Sequence, residues 1–250
     1  MLNDLSLFGE DIKRTFLFHI PHSSINIPNY DHFIDDINII NNELILSTDI
    51  VTDQIFIVDG IKSVVCKFSR LYCDVERFVV NEPMDKFGRG LYYTKTTDDT
   101  LLRTFDFKDY NHIYESYYRK YHNDLNKSIA NILNNEGIVR IVDCHSYNEN
   151  RLYFESDSDR PDICIGVDEF HTPQYLIDIF KLKFESFGFS VGINSPYSGT
   201  FVPNEYYQQN KNVESIMIEI NKRTYMVNDS IVIPNKVQML NDIISSVFNF

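Results

Sequence analysis

Glycine is scarce in this chain: nine of 250 residues, about half the usual ~7% share. No G-x-G-x-x-G or Walker pattern occurs among them, which excludes a glycine-rich phosphate loop. Basic residues are also few, 23 against 36 acidic ones, for a net charge of −13. That balance excludes nucleic acid as a general partner. No apolar run approaches the ~18 residues of a membrane span, so no membrane association is expected. The opening MLNDLSLFGEDIKRTF lacks a basic segment followed by an apolar one, so no secretory signal is expected. The four cysteines, Cys66, Cys73, Cys144 and Cys164, form no C-x-x-C pair, and three lie in apolar, strand-like runs. They read as buried, reduced thiols of a cytoplasmic protein.

What remains is an ordinary globular composition, 43% apolar and 24% charged, which excludes disorder. Strand patterns alternate with helix patterns. Thr15–Ile20, Lys62–Phe68, Val139–Cys144, Ile163–Val167, Phe189–Ile193 and Ser215–Ile220 are short and rich in β-branched or aromatic residues. Glu43–Val58 carries apolar residues near helical spacing and is followed by Gly60. Asp106–Glu136 repeats them every four residues, from Ile113 and Tyr117 to Ile129 and Leu133, and Gly137 ends it. The tyrosines of that helix read as core and rim packing. Thr172-Pro173 opens a helix that stops at Gly188, with proline at the first helical position, and Asn235–Phe248 closes the chain as an amphipathic helix. Gly60, Gly137 and Gly188 stand at helix-to-strand junctions, where a left-handed residue is needed. The alternation predicts an α/β fold, a three-layer sandwich with helices on both faces of a central sheet. Without repeats, linkers or charge blocks, residues 1–250 read as a single domain. Asn81–Thr104 is too long for a plain connection and reads as a functional loop or small hairpin.

In open α/β sheets chemistry collects beyond the carboxyl ends of strands. There the sequence places Pro21-His22-Ser23-Ser24, then Ser69-Arg70 with Asp74, Glu76 and Arg77, then Asp143-Cys144-His145-Ser146, then Asn194-Ser195-Pro196-Tyr197-Ser198-Gly199. One histidine at a strand end is more often a buried hydrogen-bonding group than a ligand. Two at neighbouring strand ends, with carboxylates close by, point to a metal pair. Zinc suits imidazole nitrogen plus carboxylate oxygen, with an open position for water. Asp49, Asp53, Asp74 and Asp143 are the carboxylate candidates, with Asp143 placed to support His145 instead. Glu219 is a charge inside an apolar strand, so it pairs with an arginine or faces a cleft as a general base. Arg70 and Arg77 bracket Asp74; they either pair with it internally or grip a substrate carboxylate.

Taken in order, HIPHSSINIP, TDIVTDQIF, FSRLYCDVERF, VDCHSYN, PDICIG, NSPYSGTF and IEINKRTYM resemble the N-formylglutamate amidohydrolase family over about His19 to Met226. The resemblance implies a phosphorylase/hydrolase-like fold with a mixed sheet, related to zinc carboxypeptidases and zinc-dependent cell-wall amidases. It implies hydrolysis of N-formyl-L-glutamate to formate and glutamate, and hence a small anionic N-acyl amino acid as substrate. Carried onto this chain, it implies a zinc ion held by His22, Asp49 and His145, with Asp49 favoured over Asp74. Glu219 then corresponds to the catalytic glutamate and Arg77 to the carboxylate-gripping arginine, with Arg70 as a second candidate. Asn194 and Tyr197 are expected to line the cleft. The chain departs from the family pattern in two places. Asp74-Val75-Glu76-Arg77 stands where Asp-x-Asn-Arg is usual, and Gly199-Thr200 stands where two glycines are. An acid at position 76 is expected to repel an anionic substrate or neutralise Arg77.

Overall fold

A computed structural model describes residues 10–152, 155, 159–228 and 230–248. The opening segment 1–9, on which the signal expectation bears, lies outside the described residues. The elements run β1 Phe16–Ile20, α1 Ile37–Ser47, α2 Thr52–Ile55, β2 Lys62–Val65, α3 Phe107–Ile113, α4 Arg119–Glu136, β3 Val139–Tyr147 and β4 Ile163–Gly166. They continue with α5 Gln174–Ser186, β5 Val191–Ile193, β6 Val213–Asn221, β7 Met226–Val227, β8 Ile231–Val232 and α6 Pro234–Ser246. Six strands form one sheet in the order β2-β1-β3-β6-β4-β5, and β7 and β8 form a separate two-stranded ribbon. β1, β2, β3 and β6 run parallel, while β4 pairs with β6 antiparallel and with β5 parallel. The sheet is therefore mixed, and the architecture is a three-layer α/β sandwich.

Strand alternation divides the core. Phe16, Phe18 and Ile20 of β1, Val142 and Cys144 of β3, and Ile216, Ile218 and Ile220 of β6 face α5 and α6. Leu17, Val139, Ile141 and Val213 pack on the other side against Tyr121, Leu125, Ile129 and Ile132 of α4. Each such side chain stabilises the fold by roughly 1.5–3 kcal/mol on burial. This second face changes character toward the carboxyl ends of the strands. After Leu17 comes His19, after Ile141 come Asp143 and His145, and after Met217 comes Glu219. The register sets His19 opposite Asp143 and His145 opposite Glu219, so all four project from the same face.

The expected strands and helices are present, with three instructive differences. The apolar period of Glu43–Val58 does not make one helix. α1 begins at Ile37, capped by Asp36, whose Oδ1 accepts from the Asn38 and Ile39 amides at 3.0 and 3.4 Å. The helix then breaks over Thr48–Val51. The Asp49 amide leaves the helix ladder and donates to the His22 carbonyl at 3.0 Å, and Val51 takes a left-handed φ of 59°. A β-branched residue in that region is strained. The strain coincides with the turn that sends Asp49 into the cleft. The long helix of 106–136 is present, but residues Tyr114–Tyr118 form a π-helical turn within it, a feature that recurs at functional sites. Finally, Thr172 does not cap α5. Pro173 occupies the cap position, and the Thr172 hydroxyl accepts from the Asp168 amide and donates to the Ser215 carbonyl.

Gly137 ends α4 with φ +76°, a left-handed cap that suits glycine. Gly60 lies beyond the end of α2, in the turn entering β2. The 81–104 stretch holds a short 3-10 helix, Pro83–Phe87, and isolated bridges pairing Arg89 with Tyr93 and Lys95 with Leu101. All four cysteines are buried free thiols. No described helix is long and apolar enough to cross a membrane.

Candidate metal centre and its cleft

His22 follows β1 directly, His145 lies on β3, and Asp49 comes from the break between α1 and α2. The three are buried and bring one ligand atom each to a common point, all within 4.8 Å of one another. Asp49 Oδ2 lies 3.1 Å from His145 Nδ1 and 3.7 Å from His22 Nδ1. The far nitrogens are held by other carboxylates. His22 Nε2 donates to Asp74 Oδ1 at 2.8 Å, and His145 Nε2 donates to Asp143 Oδ1 at 3.0 Å. Metal-binding histidines are oriented in this way, the outer nitrogen fixed so that the inner one faces the ion. His22 Nδ1 is buried and makes no hydrogen bond, although buried polar atoms are nearly always paired. Two imidazole nitrogens and one carboxylate oxygen form a donor set suited to zinc. The residues therefore fit a metal ion.

Asp74 and Asp143 are the supports of this arrangement. Asp74 Oδ1 also accepts from the Glu76 amide at 3.1 Å. Its Oδ2 accepts from Tyr93 Oη at 2.8 Å and from Arg70 Nε and Nη2 at 3.2 and 2.9 Å, with Arg77 Nε 3.3 Å away. Burial would raise its pKa, but Arg70, His22 and Arg77 outweigh that and hold it well below the usual carboxylate range. Asp143 Oδ1 also takes His19 Nδ1 at 2.9 Å, and its Oδ2 accepts from the Phe201 amide at 3.0 Å. His19 in turn stacks on Phe201, ring centroids 4.6 Å apart.

Glu219 reaches the same cleft from β6, beside His145. Its Oε2 is buried and has no hydrogen-bond partner. Burial pushes its pKa from 4.5 up to about 8; His145 opposes the shift, and Asp49, Asp143 and Glu76 add to it. A carboxylate poised near neutrality can take up a proton and hand it on.

The two arginines and Asp74 combine both readings of their spacing. They pair with Asp74, and they also border the cleft, with side chains 16% and 25% exposed. Glu76 is the main correction. Its carboxylate does not turn to Arg77. Oε1 lies 3.2 Å from His145 Nε2 and 3.6 Å from His19 Nδ1, and Oε2 lies 3.6 Å from His22 Nδ1. It adds negative charge to the histidine cluster and leaves Arg77 unneutralised. Asn194 also departs from expectation. It does not line the cleft; its amide oxygen accepts from the Val167 and Gly199 amides at 2.9 and 3.3 Å and holds the turn after β5. Tyr197 does line the cleft, where its hydroxyl donates to Glu155 and accepts from Arg160 Nη2. Sequence reasoning passed over Arg160, Lys222 and His19. Lys222 is almost fully buried and donates to Asn148 Oδ1 at 2.7 Å. A lysine directly after a strand-borne glutamate and asparagine, in the IEINK motif, was the available signal.

The metal-free cluster has a defined pH response. Burial and Arg70 lower the His22 pKa, but Asp74, Glu76 and Asp49 reverse that and raise it. Burial lowers that of His145, but Glu76, Asp143 and Asp49 hold it well above 6.5. Raised imidazoles stabilise the fold fully below pH ~6.5 and lose that contribution as pH climbs through their folded values. Glu219 acts in the same direction, because its ionisation is penalised in the folded state up to about pH 8. His122 acts oppositely: burial lowers its pKa to about 4, and the resulting cost is gone above pH ~6.5. Chelator-stripped protein is therefore expected to lose at least ~4 °C in Tm between pH 6.5 and 8.5. A flat or rising Tm over that interval, measured by scanning calorimetry, contradicts this electrostatic picture.

The N-formylglutamate amidohydrolase family model matches residues 14–226. The chain belongs to the N-formylglutamate amidohydrolase family. That match takes in β1 through most of β6 and every cluster residue described above. Among solved structures, the chain is similar to an N-formylglutamate amidohydrolase from Ralstonia eutropha JMP134, at 20% identity and a TM-score of 0.79, covering 94% of this chain and 91% of that one. It is also similar to a gene product of Agrobacterium tumefaciens, at 17% identity and a TM-score of 0.65, covering 93% and 90%. At these identities the likeness speaks for the fold. No curated protein sequence matches the chain.

Proposed function

We propose that this family member is a zinc-dependent amidohydrolase that cleaves the C–N bond of an N-formyl or N-acyl amino acid, of which N-formyl-L-glutamate is the first to test. The reading rests on one observation. The inner nitrogens of His22 and His145 converge with Asp49 on a single point, while their outer nitrogens are fixed on Asp74 and Asp143. His22, Asp49 and His145 would hold the ion. Bound there, zinc supplies a Lewis acid and lowers the pKa of a water to about 7.

The chain's own groups do the rest. Arg77, with Arg70 beside it, binds the substrate carboxylate and sets the amide over the cluster. Asp74 and Asp143 keep the histidine rings from turning. Glu219 takes a proton from the attacking water at its free Oε2 and delivers it to the departing nitrogen. Its raised pKa suits both halves of that transfer near neutral pH. Water adds across the amide, the acyl carbon leaves as a carboxylate, and the nitrogen leaves as an amine. Tyr197 closes one side of the cleft; Asn194 supports the loop that carries it. Four buried, reduced thiols suit the cytoplasm as the working compartment.

Native purification is expected to yield about one zinc per chain by elemental analysis, with formate released from N-formyl-L-glutamate. A chelator should abolish that release, and added zinc should restore it. Undiminished hydrolysis by metal-free protein would refute the metal-dependent reading.

A further inference from the structure

The cleft encloses about 1220 Å³, above the ~300–1,000 Å³ typical of small-ligand pockets. Its lining is charged around His22 and His145 and turns apolar beyond Arg77. Phe78, Val79 and Val80 follow Arg77 directly and border the cleft. They are 57%, 40% and 71% exposed, three consecutive large apolar side chains presented to solvent. The segment that carries them is pinned. Glu82, itself buried, accepts from the Phe78 amide and the Met84 amide, each at 2.8 Å. Tyr118, from the π-helical turn, donates to the Arg77 carbonyl at 2.9 Å. Apolar surface held in place at a cleft mouth marks a binding contact.

The charges on that side complete the description. Arg70 is engaged by Asp74 and Tyr93, and Arg89 by Glu43 and Ser47. Arg77 touches Asp74 only through Nε, at 3.3 Å, and keeps a quarter of its side chain open. One cation is thus presented, enough for one carboxylate. Glu76 lies between Arg77 and the histidines and adds an anion. A second substrate carboxylate on this side would meet Glu76 and three apolar residues.

We infer that the substrate's amino-acid side chain is apolar. The compound is an N-formyl or N-acyl derivative of the leucine, methionine or phenylalanine type, with its α-carboxylate on Arg77 and its side chain against Phe78, Val79 and Val80. This inference rests on the hydrolase reading and narrows its substrate class. The bond chemistry is unchanged: water supplies a hydroxyl to the acyl carbon and a proton to the nitrogen.

Zinc-supplemented protein settles the matter by release of free amino acid from N-formyl-leucine, N-formyl-phenylalanine and N-formylglutamate. We expect kcat/KM for the two apolar substrates to exceed that for N-formylglutamate at least tenfold. Val80→Ser and Phe78→Ser alter exposed side chains, so the fold survives them. Each should raise KM for N-formyl-leucine at least fivefold and leave kcat within twofold. A preference for N-formylglutamate overturns the inference and leaves the hydrolase reading standing. KM values indifferent to both substitutions also overturn it. Hydrolysis of none of the three overturns both.

Discussion

Glu219→Gln is expected to lower kcat by about 10²–10⁴-fold while bound zinc and KM stay within twofold of the parent. Glutamine keeps the size and shape of the side chain but cannot take up the proton. The substitution is structurally mild. Glu219 Oε2 has no hydrogen-bond partner to lose, and replacing a carboxylate whose ionisation burial opposes removes a cost rather than a contact. The variant should therefore unfold at the same temperature as the parent or slightly above. Rate loss without loss of metal, affinity or stability separates a proton carrier from a structural salt-bridge partner. Unchanged kcat would remove Glu219 from the chemistry and return it to the role of a buried charge in an apolar strand.

Asp74→Ala is expected to fail in the opposite manner, through stability and metal together. Asp74 is fully buried and takes His22, Arg70, Tyr93 and the Glu76 amide, with Arg77 adjacent. Removing it strands two arginines that have little water around them. Breaking a buried ion pair from one side costs about 3–5 kcal/mol. It also frees the His22 ring to turn, and loss of such a support costs roughly 10–100-fold in metal affinity. Urea denaturation and zinc titration of the same sample read both effects. Asp74→Asn, which preserves volume and keeps an acceptor for His22, should recover part of the affinity and less of the stability. A loss below ~1 kcal/mol in Asp74→Ala would show that the arginines find other partners.

Much of the fold was legible because its signals are local. The strands are short β-branched runs, Gly137 marks a left-handed cap, and the period of 106–136 is unambiguous. The reactive residues were legible for a related reason: charged and imidazole groups directly after apolar strands are costly unless they have work to do. The break at Thr48–Val51 was not legible, because the apolar spacing runs straight through it. Its cause is a contact with the His22 carbonyl, 27 residues away in sequence. The direction of Glu76 was hidden likewise. Its sequence neighbour is Arg77, but its spatial neighbours are histidines from β1, the segment after it, and β3. Asn194 was misplaced because an asparagine in a motif beside a cleft looks the same whether it faces the ligand or ties the loop. Its φ of 53° shows a turn residue.

The nine-residue pairing of β3 with β6 ties two fates together. On one face of these strands the early positions, Val139, Ile141 and Val213, fill the layer against α4, and the late positions, Asp143, His145 and Glu219, supply the reactive groups. A slip of one residue would turn both sets over at once. A chain that mispairs here cannot persist as a soluble but inactive protein. It would bury imidazole and carboxylate, expose an apolar row, and present itself to proteases and chaperones. For this protein, being correctly folded and being chemically competent are the same quality-control test.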